Sequence, residues 1–310
     1  MNEITITRHN EMIDPLLHAW GWEIPIYLFL GGMVAGMMII AGYFLFIGRF
    51  KEVESQRSYL PFISFILLSL GMVALFLDLE HKLYVWRLYL TFEVTSPMSW
   101  GSWILILIYP ILLAGMIVSM PEKYIKKIPF LEKIRAFLKA NKTRLRSLAM
   151  LNILFGVMLG MYTGVLLSSL GARPLWSTSI LWVLFLTSGL SGAAAFVHMI
   201  AKDKYERELL AKGDNIFLSF ELVVIIMMLV SLVSTSEVHM NAAMLLINGK
   251  FAMVFWVFVV GLGIVIPLIV QLLAVNHKIK HQPLAPIMVI VGGLVLRFVI
   301  VGAGQYSHWF

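Results

Sequence analysis

The chain has 310 residues, of which 60% are hydrophobic and 13% charged, with a mean hydropathy of +0.89; soluble domains carry about a quarter charged residues, so a soluble enzyme or binding module is excluded and an all-α integral membrane protein is expected. Its basic balance, 24 Lys plus Arg against 17 Asp plus Glu, lies in short loops between apolar runs without an aromatic-interleaved patch, which excludes nucleic acid as a partner and points to membrane lipid. The lack of cysteine excludes disulfides, thiolate-held iron–sulfur clusters and c-type haem attachment within this protein.

From the N-terminus, "MNEITITRHNEMIDPLLHAW" lacks the charged start, apolar core and small-residue cleavage site of a secretory signal, so residues 1–22 read as a short outer segment and the first span directs insertion. Apolar stretches of spanning length then recur eight times. They run Ile24 to Ile47, Leu60 to Leu79, Ser99 to Met120, Ser147 to Leu170, Ser177 to Ile200, Asn215 to Val233, Phe251 to Ala274 and Pro286 to Val301. Loops after the odd-numbered spans hold Arg49, Lys51 and Arg57; nine basic residues from Lys123 to Arg146; Lys202, Lys204, Arg207 and Lys212; and Lys278 and Lys280, together 18 of the 24. The opposite side has Arg8, Lys82, Arg87, Arg173 and Lys250. By the positive-inside rule both termini lie outside the cytoplasm. One transmembrane domain over residues 1–310, in packed helical bundles with a basic cytoplasmic loop at about 121–146, accounts for the whole length. It is expected in a bacterial or archaeal cytoplasmic membrane.

Small residues mark packing faces. Gly32 and Gly36 form a GxxxG pair, and "LTSGLSGAAAF" puts Ser188 and Gly192 four apart, a spacing that lets helix backbones approach. In the basic loop, "FLEKIRAFLKANKTRLR" offers apolar positions at helical spacing and reads as an amphipathic surface anchor.

Ionisable groups at membrane depth are costly and mark function. Glu23 and Tyr27, at i and i+4, share a helix face at the outer end of span one. Asp78 ends span two, Ser99, Trp100 and Trp103 open span three, and Arg297 lies in the outer part of span eight with Gln305 beyond it. Tyr162 is about two turns, roughly 12 Å, inside span four. Each has a plainer reading: Trp20, Trp22, Trp100 and Trp103 as an interfacial aromatic belt, Arg297 as a snorkelling side chain, and Glu23 and Asp78 as solvated helix-end carboxylates. Their coincidence at one level favours a shared pocket. Carboxylates, phenols and an arginine in an apolar setting suit a quinone, whose ring carbonyls need hydrogen-bond donors and whose redox chemistry needs proton carriers.

Four stretches, "WEIPIYLFLGGMVAG", "DLEHKLYVWRLYLTFEVTSPMSWGSWILIL", "MYTGVLLSSLGARPLWST" and "LVLRFVIVGAGQYS", resemble in order and spacing the NrfD and polysulfide-reductase membrane-subunit family. The resemblance implies a haem-free subunit that oxidises quinol or reduces quinone, menaquinone or ubiquinone, near the outer face. It also implies a docked four-cluster, ferredoxin-like iron–sulfur subunit and, through it, a molybdopterin or multihaem cytochrome catalytic subunit. Glu23 and Tyr27 then fall where the polysulfide-reductase type carries a quinone-facing amide and histidine, and Tyr162 matches a tyrosine contacting the quinone ring. Asp78 and Arg297 match polar groups within the helices. Glu23 and Asp78 are thus the candidate catalytic carboxylates, and Glu23, Tyr27, Tyr162, Arg297 and Trp100 the candidate quinone-binding residues; no metal site is expected.

On the inner side, His198 and Glu221 form a candidate inward proton path, with solvation or bonding to neighbouring helices as the plainer reading. Two other classes stay open. A dihaem cytochrome b-type anchor needs histidines stacked within spans, whereas only His198 is well inside one and His18, His81, His239, His277, His281 and His308 lie in loops or at ends. A secondary transporter needs broken helices in two repeated halves, for which Pro267 is the single clear candidate.

Overall fold

The computed structural model describes residues 20–48, 59–201, 204–276 and 283–309. The expectations for segment 1–19, for Arg49, Lys51, Arg57, Lys202, Lys278 and Lys280, and for His18, His277 and His281 lie outside the described residues.

Eight helices are long and apolar enough to cross a membrane, and no strand occurs among the described residues. The spans are α1 (Glu23–Phe46), α2 (Leu60–Asp78), then, after the short α3 (Arg87–Leu90), α4 (Pro97–Ser119). The one-turn α5 (Glu122–Ile125) and the surface helix α6 (Pro129–Lys139) lead into α7 (Lys142–Ser168). There follow α8 (Leu181–Ile200), α9 (Lys204–Thr235), the short α10 (Glu237–Ile247), a π-wound segment Val254–Val265 continuing as α11 (Ile266–Val275), and α12 (Leu284–Tyr306).

The helices overrun the hydropathy limits for local reasons. Asn141 caps α7 by accepting from the Thr143 amide at 2.9 Å, so that helix starts at Lys142 rather than Ser147. α9 begins at Lys204 instead of Asn215 and so carries Glu206 and Asp214 into the fold, both fully buried. Span five starts later than expected, at Leu181. The backbone before it turns, held by the Trp176 indole donating to the Ile300 carbonyl at 2.9 Å and by Arg173 Nη1 donating to the Ser307 carbonyl at 3.0 Å. Span seven runs through Pro267 without breaking: its first half takes the wider π winding, with the Ile266 amide bonded to the Gly261 carbonyl.

Two four-helix bundles result, one of α1, α2, α4 and α7 and the other of α8, α9, α11 with its π segment, and α12. α1 is the shared element, packing on α2 and α7 on one side and on α8 and α12 on the other. Its apolar window is 72% buried, against 33% for the lipid-facing α2. The α1–α8 crossing explains the small residues, with a shift of one position from the expected pair: Gly36 meets Gly189 and Ala193, and an added Cβ would lie 2.5 Å from both the Gly189 carbonyl and the Ala193 methyl. Ser188 instead turns toward Glu221.

Trp20, just before α1, and Gln305, near the end of α12, meet at one face. The Trp20 amide donates to Gln305 Oε1 and Gln305 Nε2 donates to the Trp20 carbonyl, each at 3.0 Å. Trp20 also stacks on Trp176 with centroids 5.2 Å apart. This indole is therefore a structural staple, while Trp22 and Trp100 remain exposed in the manner of an aromatic belt. This end of the bundles is the terminal face, and the end carrying α6 is the basic face.

Candidate functional site

Near the terminal face the first bundle encloses a cavity of about 410 Å³. Ile24, Tyr27 and Leu28 of α1, Phe76 and Asp78 of α2, Met98, Ser102 and Leu105 of α4, and Tyr162 and Leu166 of α7 line it. Its walls are overwhelmingly apolar, with a few polar groups that converge, the usual chemistry of a small-molecule site.

The cavity has a roof. Residues 79–96 fold over the bundle end, and Val85, Leu88 and Tyr89 face inward. Two serines of the "TSPMSWGSW" stretch hold this roof on α4. Ser99 Oγ accepts from the Glu93 amide at 3.0 Å and donates to the Thr91 carbonyl at 3.2 Å, and Ser102 Oγ donates to the Leu88 carbonyl at 2.9 Å. Trp100 adds an indole bond of 2.8 Å to the Val94 carbonyl. Burial, with the neighbouring Tyr109 phenol adding to it, pushes the Tyr89 phenol above its ordinary value. On the solvent side Thr95 donates from its hydroxyl, at 2.9 Å, and its amide to Glu93, holding that carboxyl below the usual range.

Two tyrosines dominate the interior. The phenol end of Tyr162 lies against α4 where Gly101 leaves room; a methyl group at that position would overlap the ring. Tyr27 is 2% exposed, and its hydroxyl lies beside the Tyr162 phenol, the two interacting without a well-formed hydrogen bond. A buried hydroxyl short of a well-formed hydrogen bond forfeits up to about 1–3 kcal/mol, which a further acceptor beside the two phenols would recover.

The carboxylates sit differently. Glu23 is the first residue of α1, where the helix dipole favours a negative charge, whereas Asp78 is the last residue of α2, where the dipole opposes one. Asp78 lines the cavity and lies within charge–charge range of Glu23. Glu23 itself does not line it; its carboxylate folds back over Gly21, toward the surface.

Tyr27, Tyr162 and Asp78 are thus brought together as the sequence suggests, with Glu23 one helical turn above. Trp100 and Arg297 are not. Trp100 is 41% exposed and braces the roof from outside. Arg297 is at the expected level, but the phase of α12 turns it into the second bundle. Its Nη2 donates to the Phe185 carbonyl at 3.0 Å, its guanidinium lies 4.1 Å over the Phe185 ring, Glu221 is within charge–charge range without forming an ion pair, and Nε and Nη1 find no hydrogen-bond partner among the described residues. This arginine is 1% exposed, so it does not snorkel.

Glu221 accepts from Ser191 Oγ at 3.1 Å and also bonds Ser188. Two turns along α9 toward the basic face, Asp214 accepts from Gln271 Nε2 at 2.7 Å. His198 is buried on α8, seven residues beyond Ser191 and hence about 10 Å nearer the basic face. Arg297, Glu221 and Asp214 make a row of buried ionisable residues at the centre of the second bundle. Asp214 and Gln271 escaped the sequence reading because Asp214 fell one residue outside the expected span; its seven-residue spacing from Glu221 is the signal that reveals the shared face.

A family profile, polysulphide reductase, NrfD, matches residues 8–307. A polysulfide reductase polypeptide of Wolinella succinogenes is 29% identical over 308 residues, covering 92% of this chain and 94% of that protein. Protein NrfD of Escherichia coli is 28% identical, covering 93% and 95%. A selenate reductase subunit of Mesobacillus selenatarsenatis is 20% identical, covering 91% and 73%. Eight apolar spans together with this kinship make the chain a multi-pass protein of the bacterial inner membrane, of the kind that serves as a membrane subunit in respiratory reductase complexes. It belongs to the polysulphide reductase, NrfD family.

Proposed function

We propose that this protein exchanges electrons with the quinone pool, oxidising quinol or reducing quinone in the cavity beneath the roof. The observation that carries the reading is the pair of phenols Tyr27 and Tyr162, beside one another in the wall of an apolar cavity large enough for a quinone ring. A quinol bound there supplies the electrons and protons of the reaction. The protein supplies the rest. Tyr27 Oη donates to one ring oxygen, the Tyr162 ring fixes the headgroup from the α4 side, and the apolar walls exclude water while the tail leaves between helices. The Asp78 carboxylate takes up or returns the proton at the rim, and Glu23, one turn out, passes it to the surface.

The roof supplies the exit for electrons. Its outward side presents Leu83, Trp86, Leu90 and Phe92, with Leu83 87% and Leu90 74% exposed. An apolar patch of this kind marks a protein contact, and the occupant proposed is the four-cluster iron–sulfur subunit, leading to a molybdopterin or multihaem subunit. In the second bundle the row Arg297, Glu221, Asp214, with His198 beside it, is proposed as a proton route toward the basic face. Buried ionisable groups in series inside a span are otherwise hard to justify energetically.

Replacing Tyr27 with phenylalanine tests the binding role against a structural one. Removing a hydroxyl that is incompletely bonded leaves the melting temperature little changed, because the burial cost that disappears, up to about 1–3 kcal/mol, offsets the loss of its weak contact with Tyr162. The same change raises the KM for quinol by roughly 5- to 30-fold, the equivalent of one hydrogen bond to ligand. A lowered melting temperature with an unchanged KM would make Tyr27 a packing residue and remove the basis of the assignment.

A further inference from the structure

At the basic face, α6 lies across the ends of α4 and α7 and leaves an open groove of about 350 Å³ between them. Pro110 and Ala114 of α4, Leu138 of α6, and Leu148 and Leu151 of α7 form its apolar walls, and Arg144 is its single charged lining residue. Proline at 110 interrupts the hydrogen-bond ladder of α4 on this side. From Arg144 to Leu151 the groove descends about 10 Å along α7, the depth separating a headgroup from the first carbons of its acyl chains.

The guanidinium at the mouth is held in place. Arg144 Nη1 donates to the Phe137 carbonyl at 2.8 Å, and the cation lies 3.8 Å over the Phe137 ring. No carboxylate pairs with it among the described residues. The charge around it is one-sided: residues 122–146 contain nine Lys and Arg against Glu122 and Glu132. Phe130 and Phe137 of α6 are 69% and 59% exposed, as expected of a helix lying in the interfacial layer.

We infer that this groove binds one anionic phospholipid, with an acyl tail along Ala114, Leu148 and Leu151 and its phosphate on Arg144. The apolar channel alone would accept any lipid. The unpaired, pre-oriented cation and the surplus of positive charge select a headgroup with net negative charge over a zwitterionic one, each nearby cation contributing roughly fivefold in affinity.

The test is native mass spectrometry of the full-length protein with its co-purifying subunits, released from nanodiscs of equal phosphatidylglycerol and phosphatidylcholine. The wild type retains one phosphatidylglycerol, enriched at least about fivefold over phosphatidylcholine. Arg144→Glu loses the enrichment. Lys133→Glu makes the same charge change on α6 away from the groove and keeps it. Ala114→Phe fills the groove without touching a charge and loses the bound lipid. Equal retention of both lipids by the wild type overturns the inference, as does equal loss in Arg144→Glu and Lys133→Glu, which reduces the effect to diffuse surface charge. If Arg144→Glu does not assemble, Ala114→Phe decides the matter, and unchanged lipid retention in that variant counts against the site.

Discussion

Replacing Gly101 with leucine is expected to lower quinol-dependent turnover by at least about a hundredfold while the protein still folds and inserts. The Tyr162 ring rests on Gly101, so any side chain there must push the phenol off α4 and into the cavity or out of line with it. Displacing a positioning group by about 1 Å is enough to cost on the order of 10²-fold in rate. The structural penalty is smaller: overpacking costs about 1–3 kcal/mol, and replacing a helical glycine recovers up to about 1 kcal/mol of propensity. Gly101→Ala already brings a methyl into overlap with the ring and is expected to fall between wild type and leucine. The check is turnover per folded protein, with thermal melting run alongside. Normal turnover in Gly101→Leu would mean that Tyr162 does not touch the quinone.

Arg297→Met is expected to destabilise the second bundle by about 1–3 kcal/mol, because it removes the hydrogen bond to the Phe185 carbonyl and the countercharge near the buried Glu221. Glu221 would be left in the bundle centre with the hydroxyls of Ser188 and Ser191 as its partners. The double variant Arg297→Met with Glu221→Leu replaces both charges by apolar volume and is expected to recover most of that stability. Recovery of the fold need not restore function. In liposomes the double variant is expected to oxidise quinol at the cavity but to lose proton transfer toward the basic face, read with an entrapped pH dye. If proton transfer survives in the double variant, the row through Glu221 is structural.

The bundle architecture is written in the apolar run lengths and the alternating charge of the loops, because membrane spans are constrained by bilayer thickness and by the need to bond every backbone group internally. The half of the candidate site on α1, α2 and α7 is legible for a similar reason: Glu23, Tyr27, Asp78 and Tyr162 stand out as polar groups in apolar helices at one level. Level along the membrane normal can be read from a sequence, but direction around a helix axis is set by packing. That is why Arg297, correct in depth, belongs to the other bundle, and why Trp100 braces the roof from outside. Gly101 and Ser102 carry no signal of their own, since a glycine that seats a ring and a serine that ties down a loop look like ordinary small residues until their neighbours are known. Asp214 is hidden by a different effect. Hydropathy ends a span where charge begins, whereas α9 extends about three turns beyond that limit, with Leu210 and Ala211 buried and Asp214 bonded to Gln271.

The central claim is that the quinone headgroup sits between Tyr27 and Tyr162, and photoaffinity labelling tests it most directly. The purified complex is illuminated with an azido-quinone, digested, and the labelled peptides are identified by mass spectrometry. Label is expected on the α1 segment around Tyr27 and Leu28 and on the α7 segment from Tyr162 to Leu166, suppressed by excess unlabelled quinone. Displaceable label confined to α9, α11 or α12 would contradict it.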